Sequence, residues 1–493
     1  MSVDPDSQQP QDIIEIPPGS RGPRLGADEW VARREGRREY LPSWLGRAER
    51  ESERIGWWPR LAIAGVAAAL LPGLGLGGFQ LQVGIDALVI ALLAVGLNIV
   101  VGWAGLLDLG YIAFFGFGAY GFALLSSAQI GSTGIHLPAY FSLPIVMIAA
   151  AFLGLGVGLP SRRLIGDYLA IVTLFFGEAF VEFTNNVAPS KFGGPNGITG
   201  IDPIKAFGWQ LVSNYGYYYL LVIVLVVTMA VLRLLDTSRT GRAWRAVRED
   251  PLAAAAMTIP VNRVKLSAFA CGAIVAALAG TIYAAQQASV FPTDFDTPIL
   301  ILIYAGLVLG GAGSIAGAVT GALVVMVIYD GLLRSPAEAS LLFYGLGLLT
   351  LLVKLRPWRR LAAVLGATIA LGFAAHAIAA AISPSAVATG PQSSGWLGDG
   401  LRDWVIVPAN PQTAGNIGFV VLICLAIALV QVKGRWRTIL LVPTIYLAAF
   451  VWETRLVVEP SITRQLMIGA ILIVMMIARP QGLLGQRRVE VAT

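Results

Sequence analysis

Residues 84–128 read GIDALVIALLAVGLNIVVGWAGLLDLGYIAFFGFGAYGFALLSSA. Two apolar runs, 84–102 and 110–128, flank a short glycine-containing break that carries Asp108. Each run is close to the roughly 20 residues that a helix needs to cross the hydrocarbon core of a bilayer. Backbone N–H and C=O groups must pair internally there, and a helix achieves this within one segment. The stretch therefore reads as two membrane-embedded helices. It sets the fold class: all-α, a polytopic transmembrane helical bundle.

The rest of the chain agrees. Of 493 residues, 56% are hydrophobic and 13% are charged, with a mean hydropathy of +0.72. A soluble domain has about 45–50% apolar and about 25% charged residues, and a disordered chain is richer still in charge. Both classes are excluded. The net charge of +6 comes from 35 Lys and Arg against 29 Asp and Glu. In a membrane protein such an excess sets topology. A nucleic-acid face would need a basic stripe on a soluble domain, and none is evident. Cys271 and Cys424 lie in apolar runs and read as small core residues. There is no CxxC, and His136 and His376 are far apart, so no metal site is expected.

Outward from the opening pair, apolar runs occupy 60–78 before it and 139–159, 167–187, 215–235, 264–286, 297–311, 314–333, 339–354, 361–382, 415–432, 438–452 and 464–479 after it. This makes about fourteen spans. The pair 297–333 reads either as two spans or as half-spanning, re-entrant helices. Cytoplasmic loops carry an excess of Lys and Arg. With the N-terminus inside, one side receives Arg162 and Arg163, the stretch 233–265, 354–360, 433–437, and Arg487 with Arg488. The other side receives 128–138, 188–214, 286–296, 383–414 and 453–463, all poor in Lys and Arg. Both termini are then cytoplasmic. Ahead of the first span, 1–58 is rich in Pro, Asp, Glu and Arg and has no apolar signal-peptide core. Its first 26 residues read as disordered. Residues 27–57 read either as a helix on the membrane face, with Trp57 and Trp58 at the interface, or as a solvated linker. The 56 glycines include GGAGS at 310–314, Gly317 and Gly321 inside spans. Small residues of this kind let helices approach closely in lipid.

The longest basic loop is DTSRTGRAWRAVREDPLAAAAMTIPVN, 236–262. Arg239, Arg242, Arg245 and Arg248 recur every three residues, which places them along one helical side. Glu249 and Asp250 precede Pro251, the favoured placement of acids and proline at a helix start. LAAAAM at 252–257 is a strong helix former, ending near Pro260. A short helix on a basic loop suits a groove in another protein; the same loop is also consistent with merely fixing orientation. No Walker A is present, since none of the five lysines follows a glycine. GxSxG and HExxH are absent too. No catalytic residue and no cofactor are expected, and any ATP must be bound by another polypeptide.

Charges inside spans are functional candidates by default. Glu178 lies about 16 Å along its helix from Asp167, near the middle of the membrane. Glu182 follows one turn later, with Asn185 and Asn186 beyond. The stripe either lines a translocation path, where a carboxylate meets a substrate ammonium group, or fixes helix packing through hydrogen bonds. Asn98 and Asp108 flank the break after the second span and suit a gate or a loop-fixing role. Thr173 completes the path or gate candidates. GGPNG at 193–197 reads as a compact turn.

Taken in order, these segments resemble branched-chain amino acid ABC importer permeases of the LivM type. The matching segments are LNIVVGWAGLLDLGYIAFFGFGAY at 97–120, GDYLAIVTLFFGE at 166–178, GGPNGI at 193–198, RAVREDPLAAAAMTIPVNRVKL at 245–266, GGAGS at 310–314 and ARPQGLLG at 478–485. The resemblance implies one membrane subunit of an ATP-driven importer working by alternating access. It also implies a second homologous permease subunit, two ATP-binding subunits and an extracytoplasmic solute-binding protein, in the inner (plasma) membrane of a bacterium. The implied substrates are branched-chain or other hydrophobic amino acids, with urea or short amides as an alternative. Arg245, Arg248, Glu249, Asp250, Ala253, Ala254 and Met257 would form the loop that couples to the ATPase.

The chain departs from the family at Ala255, where an acid is usual, and at Thr258, where a glycine is usual. A larger departure is an insertion at 334–460, holding about four extra spans between a permease core at 59–333 and a last span with cytoplasmic tail at 461–493. Four is even, so the last span keeps its direction. The insertion reads as a peripheral lipid-facing bundle or as an accessory contact surface. The competing class is an ion-coupled secondary transporter with Glu178 as the coupling site. A membrane enzyme or scaffold is a third, without a catalytic constellation to support it.

Overall fold

The computed structural model describes residues 56–485, apart from 76, 128–135, 161–165, 188, 207–208, 334–335, 356–357, 383–395, 409, 433, 459 and 479–481. The expectations for 1–55, for Arg162 and Arg163, and for Arg487 and Arg488 lie outside the described residues. The chain divides into a large unit, Ala64–Gln486, and a small one made of the two termini. Only 56–63 of the latter are described.

The helices are α1 (Trp57–Leu70), α2 (Gly78–Leu97), α3 (Tyr111–Ser126), α4 (Ala139–Gly158), α5 (Asp167–Asn186), α6 (Asn214–Thr237), α7 (Arg239–Glu249), α8 (Pro251–Ala256) and α9 (Val261–Gln287). They continue with α10 (Thr297–Gly310), α11 (Ile315–Met326), α12 (Pro336–Lys354), α13 (Trp358–Ile382), α14 (Trp396–Arg402), α15 (Pro411–Gln431), α16 (Arg435–Val458) and α17 (Pro460–Ala478). α2 and α11 each run on into a wider π-helical turn, Asn98–Trp103 and Val327–Leu332. Each apolar run read from the sequence overlaps a helix, though the first, 60–78, leaves helical conformation after Leu74. Among the described residues, eight helices are long and apolar enough to cross a membrane. The fold is therefore an all-α, multi-pass membrane architecture.

Burial orders the bundle from centre to edge. In α2, 89% of the apolar stretch is buried within the protein, and in α9 72%. In α13 and α15 the figures are 22% and 11%. α9 lies across α3, α4 and α2, and small residues set its distance. A Cβ on Gly280 of α9 would stand 2.1 Å from the Phe115 carbonyl oxygen of α3. A Cβ on Gly118 of α3 would stand 2.3 Å from the carbonyl oxygen of Ala277. α10 and α11 form a second close pair, in which a Cβ on Gly321 would meet the Gly306 carbonyl at 2.1 Å. Without side-chain bulk, van der Waals contact between backbones replaces the hydrophobic drive that lipid does not supply.

The helices that follow α11 join this body through an apolar cluster. Leu302, Ala305 and Leu309 of α10 and Val325 of α11 meet Ala339 of α12, Trp452 of α16 and Ile468 of α17. Phe343 stacks on Trp452 with ring centroids 4.4 Å apart. Elsewhere α13 and α15 present apolar surface outward. This changes one expectation: Cys424 of α15 is exposed, not a core residue, and Cys271 of α9 is half-buried.

Short strands gather the loops at one end. β1 (Ile198–Thr199) pairs antiparallel with β4 (Ser289–Val290), and β2 (Lys205–Ala206) with β3 (Trp209–Gln210). The Ser127 hydroxyl donates to the Thr199 carbonyl at 2.8 Å, and His136 and Lys205 both reach Asp202. GGPNG closes as a tight 3-10 turn at Gly194–Asn196. Its Gly197, at φ +64, lies so close to Val290 that a Cβ would come within 2.1 Å of that carbonyl oxygen.

Candidate functional site

At the C-terminal end of α6 the chain turns sharply into α7. The Ser238 hydroxyl accepts from the amides of Thr240 and Gly241 and so caps α7. Gly241 lies against the backbone of Leu235 and Asp236, where a Cβ would meet a carbonyl oxygen at 2.4 Å. The arginines then go to separate places. Arg242 donates to the Thr237 carbonyl at 2.9 Å, and Arg245 to both the carboxylate and the carbonyl of Asp236. Asp236 is buried and also accepts from Arg233 at 3.0 Å. The three-residue spacing does not make a free basic stripe, because each step falls 60° short of a full turn of a 3.6-residue helix. These cations answer the carbonyls and carboxylate at the end of α6, the favourable pole for positive charge.

Arg248 turns into the protein. Its Nη1 donates to the carbonyl of Gly102, in the π-turn that ends α2. Its aliphatic stem covers Gly105, and a Cβ on Gly105 would stand 2.7 Å from it. One turn earlier, Trp244 is fully buried and donates to the Val264 carbonyl at 3.0 Å. Its ring stacks on Trp103 of the π-turn, with centroids 5.9 Å apart and 19° between planes. The π-turn in turn holds the Gly311–Ser314 connection between α10 and α11. Trp103 Nε1 donates to the Gly313 carbonyl at 3.1 Å, and the Gly313 amide donates to Asn98 Oδ1 at 2.7 Å. The tail motif arrives at the same place: the amides of Leu483 and Leu484 donate to the carbonyls of Leu309 and Gly310 at 2.8 and 2.9 Å. Gly482 packs on Gly311 with no room for a Cβ. Segments around residues 100, 245, 312 and 483 thus meet in one junction.

Beyond that junction α8 projects outward. Asp250 accepts from the amides of Leu252 and Ala253 at 2.7 and 3.1 Å, and Pro251 occupies the first turn. Leu252 is 82% exposed and Met257 75%. Ala253 and Glu249 are exposed, while Ala254 is buried beneath the helix. Thr258 ends it with φ +65, in the left-handed region. Of the coupling residues expected from sequence, Leu252 was not among those singled out, though it is the most exposed apolar side chain of the loop. The available signal is that Leu252 and Met257 are the large apolar residues bracketing the alanine run 253–256.

Asp108 is fully buried in the loop between the π-turn and α3. One carboxylate oxygen accepts from the Gly110 amide at 3.0 Å, and its carbonyl accepts from Tyr304 of α10 at 2.6 Å. Burial pushes its carboxyl up from 3.8 to about 7, against the pull of the Gly110 amide and the Thr173 hydroxyl. Thr173 is buried in α5, accepts from the Leu109 amide at 2.9 Å and donates to the Ala170 carbonyl. Asp108 and Thr173 thus pin the same loop from two sides.

Glu178 and Glu182 lie apart from this junction, on an exposed face of α5 that also presents Tyr168, Ile171 and Phe175. Glu178 accepts from the Thr297 hydroxyl at the start of α10 at 2.5 Å, and Glu182 from the Asn186 amide at 2.6 Å. Beside them the buried ring of Phe295 is enclosed by Phe115, Tyr120, Phe180 and Tyr283 at 5.2–6.5 Å between centroids. That aromatic group, drawn from three helices, had no sequence signal.

The family model for the branched-chain amino acid transport system permease component matches residues 80–353. The match spans more than half of the chain and runs through most of α12. The chain is similar to the high-affinity branched-chain amino acid transport system permease protein LivM of Escherichia coli (strain K12), at 39% identity over 290 residues, 54% of this chain and 66% of the relative. It is 38% identical to the Salmonella typhimurium LivM protein over the same shares. The autoinducer 2 import system permease protein LsrC of Escherichia coli O9:H4 is 29% identical over 248 residues, 45% of this chain and 66% of the relative. The chain thus spans slightly less than two thirds of the length of these relatives. No solved structure matches it. The helical bundle, the ordered motifs that converge on one junction, and the extent of the match identify the chain as a member of the branched-chain amino acid transport system permease family.

Proposed function

We propose that this chain is a membrane-spanning permease subunit of an ATP-driven importer for branched-chain or other hydrophobic amino acids. It works by alternating access beside a second homologous permease subunit, two ATP-binding subunits and an extracytoplasmic solute-binding protein, in the inner membrane of a bacterium. About fourteen crossings with both termini cytoplasmic put the α7–α8 loop on the ATP side. The observation that carries the reading is α8: a capped helix that holds Leu252 and Met257 almost fully in solvent. An exposed apolar pair on a capped helix is the kind of feature that docks in a groove. Glu249, Asp250 and Ala253 border it. Family membership supplies the class of partner.

The exposed carboxylates of α5 support the second half. A charge facing lipid costs several kcal/mol, so the Glu178–Glu182 face looks onto a polar path shared with the second permease. Substrate ammonium groups would find counter-charges there, and the Phe295 aromatic group beside it offers apolar side chains an equally apolar wall. ATP closure shifts the permease between inward- and outward-open states only if it stabilises one over the other, a difference that α8 would transmit.

The test is purification from native membranes in mild detergent, with mass spectrometry of the partners. Reconstitution in liposomes with the ATP-binding subunits and labelled leucine follows. A Walker-A ATPase and a second permease should co-purify, and uptake should require ATP. Recovery of the chain alone, with ion-gradient-driven uptake in ATP-free liposomes, would overturn the reading.

A further inference from the structure

We infer that Arg248 is a positioning residue, which transmits motion of the α7–α8 loop to the interior without touching the ATP-binding partner. The inference rests on the importer reading above. A docking residue must face outward, and Arg248 does not: its guanidinium donates to the Gly102 carbonyl, and its stem lies over Gly105. The place it grips is special. Asn98–Trp103 is a π-turn, in which the Ala104 amide reaches back five residues to the Ile99 carbonyl at 3.1 Å. Such turns interrupt the regular ladder and recur at functional positions. The same turn holds both backbone polar groups of Gly313, through Asn98 and Trp103. Gly313 is at φ +99, and a Cβ there would stand 3.1 Å from Arg248 Nη1.

One side chain therefore joins three elements: α7 by its own backbone, α2 by a hydrogen bond, and the α10–α11 connection by contact. A rotation of α7 that carried Arg248 along must either drag the π-turn and the Gly313 connection or break a charge-assisted hydrogen bond. Breaking it inside the protein is costly, so the three move together. The stacked Trp244 and Trp103 rings keep the spacing while they do. An arginine reaches this carbonyl through one guanidinium nitrogen while its stem covers Gly105, and its charge persists at every working pH.

The experiment compares three variants in the intact, reconstituted complex, reading subunit stoichiometry, ATP hydrolysis and leucine uptake together. Arg248→Ala should keep the ATP-binding subunits at the wild-type ratio and keep most hydrolysis, while leucine moved per ATP falls about tenfold, the scale of one lost charge-assisted hydrogen bond. Arg248→Lys should recover much of that ratio. The Leu252→Ser, Met257→Ser pair should instead lose the ATP-binding subunits. If Arg248→Ala sheds those subunits in step with uptake, Arg248 is a contact residue and the inference falls. An unchanged ratio of leucine to ATP also overturns it. Should Arg248→Ala fail to accumulate in the membrane, Trp103→Phe removes the indole donor to Gly313 while keeping a ring. There too, an unchanged ratio counts against the junction. Absence of any ATP-binding subunit from the wild-type complex would instead sink the importer reading itself.

Discussion

At the scale of single residues, two side chains carry conformational or protonation costs that can be measured. Thr258 ends α8 at φ +65, where a Cβ crowds the following carbonyl and costs about 1–2 kcal/mol. Glycine would relieve this at some cost in unfolded-chain entropy. Thr258→Gly should therefore stabilise the detergent-solubilised protein by about 1 kcal/mol, read as a rise in the unfolding midpoint. Asp108 carries the other cost. Its carboxyl, near 7 rather than 3.8, faces Tyr111 of α3 and Tyr304 of α10. The folded protein therefore holds a proton that the unfolded chain releases above about pH 4. The stabilising share of this group is present below its ordinary value and is lost as pH rises toward 7. Asp108→Asn should flatten stability between pH 4 and 7, where the wild type declines. A wild-type profile already flat over that window would count against the buried, neutral carboxyl. The sequence marked both positions, Thr258 as a departure from the family and Asp108 as a gate or loop-fixing charge. It did not show that Asp108 is fully buried, because burial is set by α5 and α10 closing over the loop from elsewhere in the chain.

At the scale of elements, close backbone approach decides the packing. Gly280 sits where even a methyl would enter the Phe115 carbonyl. Gly280→Ala should cost about 1–3 kcal/mol by forcing α9 away from α3, seen as a lower unfolding midpoint and faster proteolysis of the solubilised protein. The apolar tip of α8 obeys a different rule. Burying Leu252 or Met257 against a partner is worth roughly 1.5–3 kcal/mol each. Leu252→Ser alone should then weaken association with the ATP-binding subunit by about ten- to a hundredfold in a titration, with the permease still inserted. Helix positions were legible from periodicity-free apolar length, and the α7–α8 break from Asp250 and Pro251. The destinations of the arginines were not. Four cations at three-residue spacing look like a docking stripe until the carbonyl end of α6 is seen to claim Arg242 and Arg245, and the Gly102 carbonyl Arg248.

At the scale of the whole molecule, the stretch read from the sequence as an insertion, 334–460, is anchored at the Trp452 cluster. Removing 334–459 takes away an even number of the proposed crossings, so a C-terminal tag should stay on the face it occupies in the intact chain, as read by protease or thiol accessibility. An inverted tag would refute the parity argument. The shortened chain should also be less stable, because Trp452 and Phe343 no longer cover Leu302, Leu309 and Ile468. Trp452→Ala isolates that anchor and should cost about 3 kcal/mol.

By itself the sequence determined the solvent this chain lives in, the all-α class, the helix positions and the family. Each depends on local composition or on ordered short motifs, which a linear reading preserves. The tertiary structure alone decided which motifs act together. Asn98, Arg248, Gly313 and Leu483 are hundreds of residues apart at the extremes, and their meeting depends on α2, α7, α10 and the tail reaching the same end of the bundle. It also decided which face of α5 stays open and which cations turn inward. These are outcomes of packing between distant segments, and no spacing along one segment encodes them.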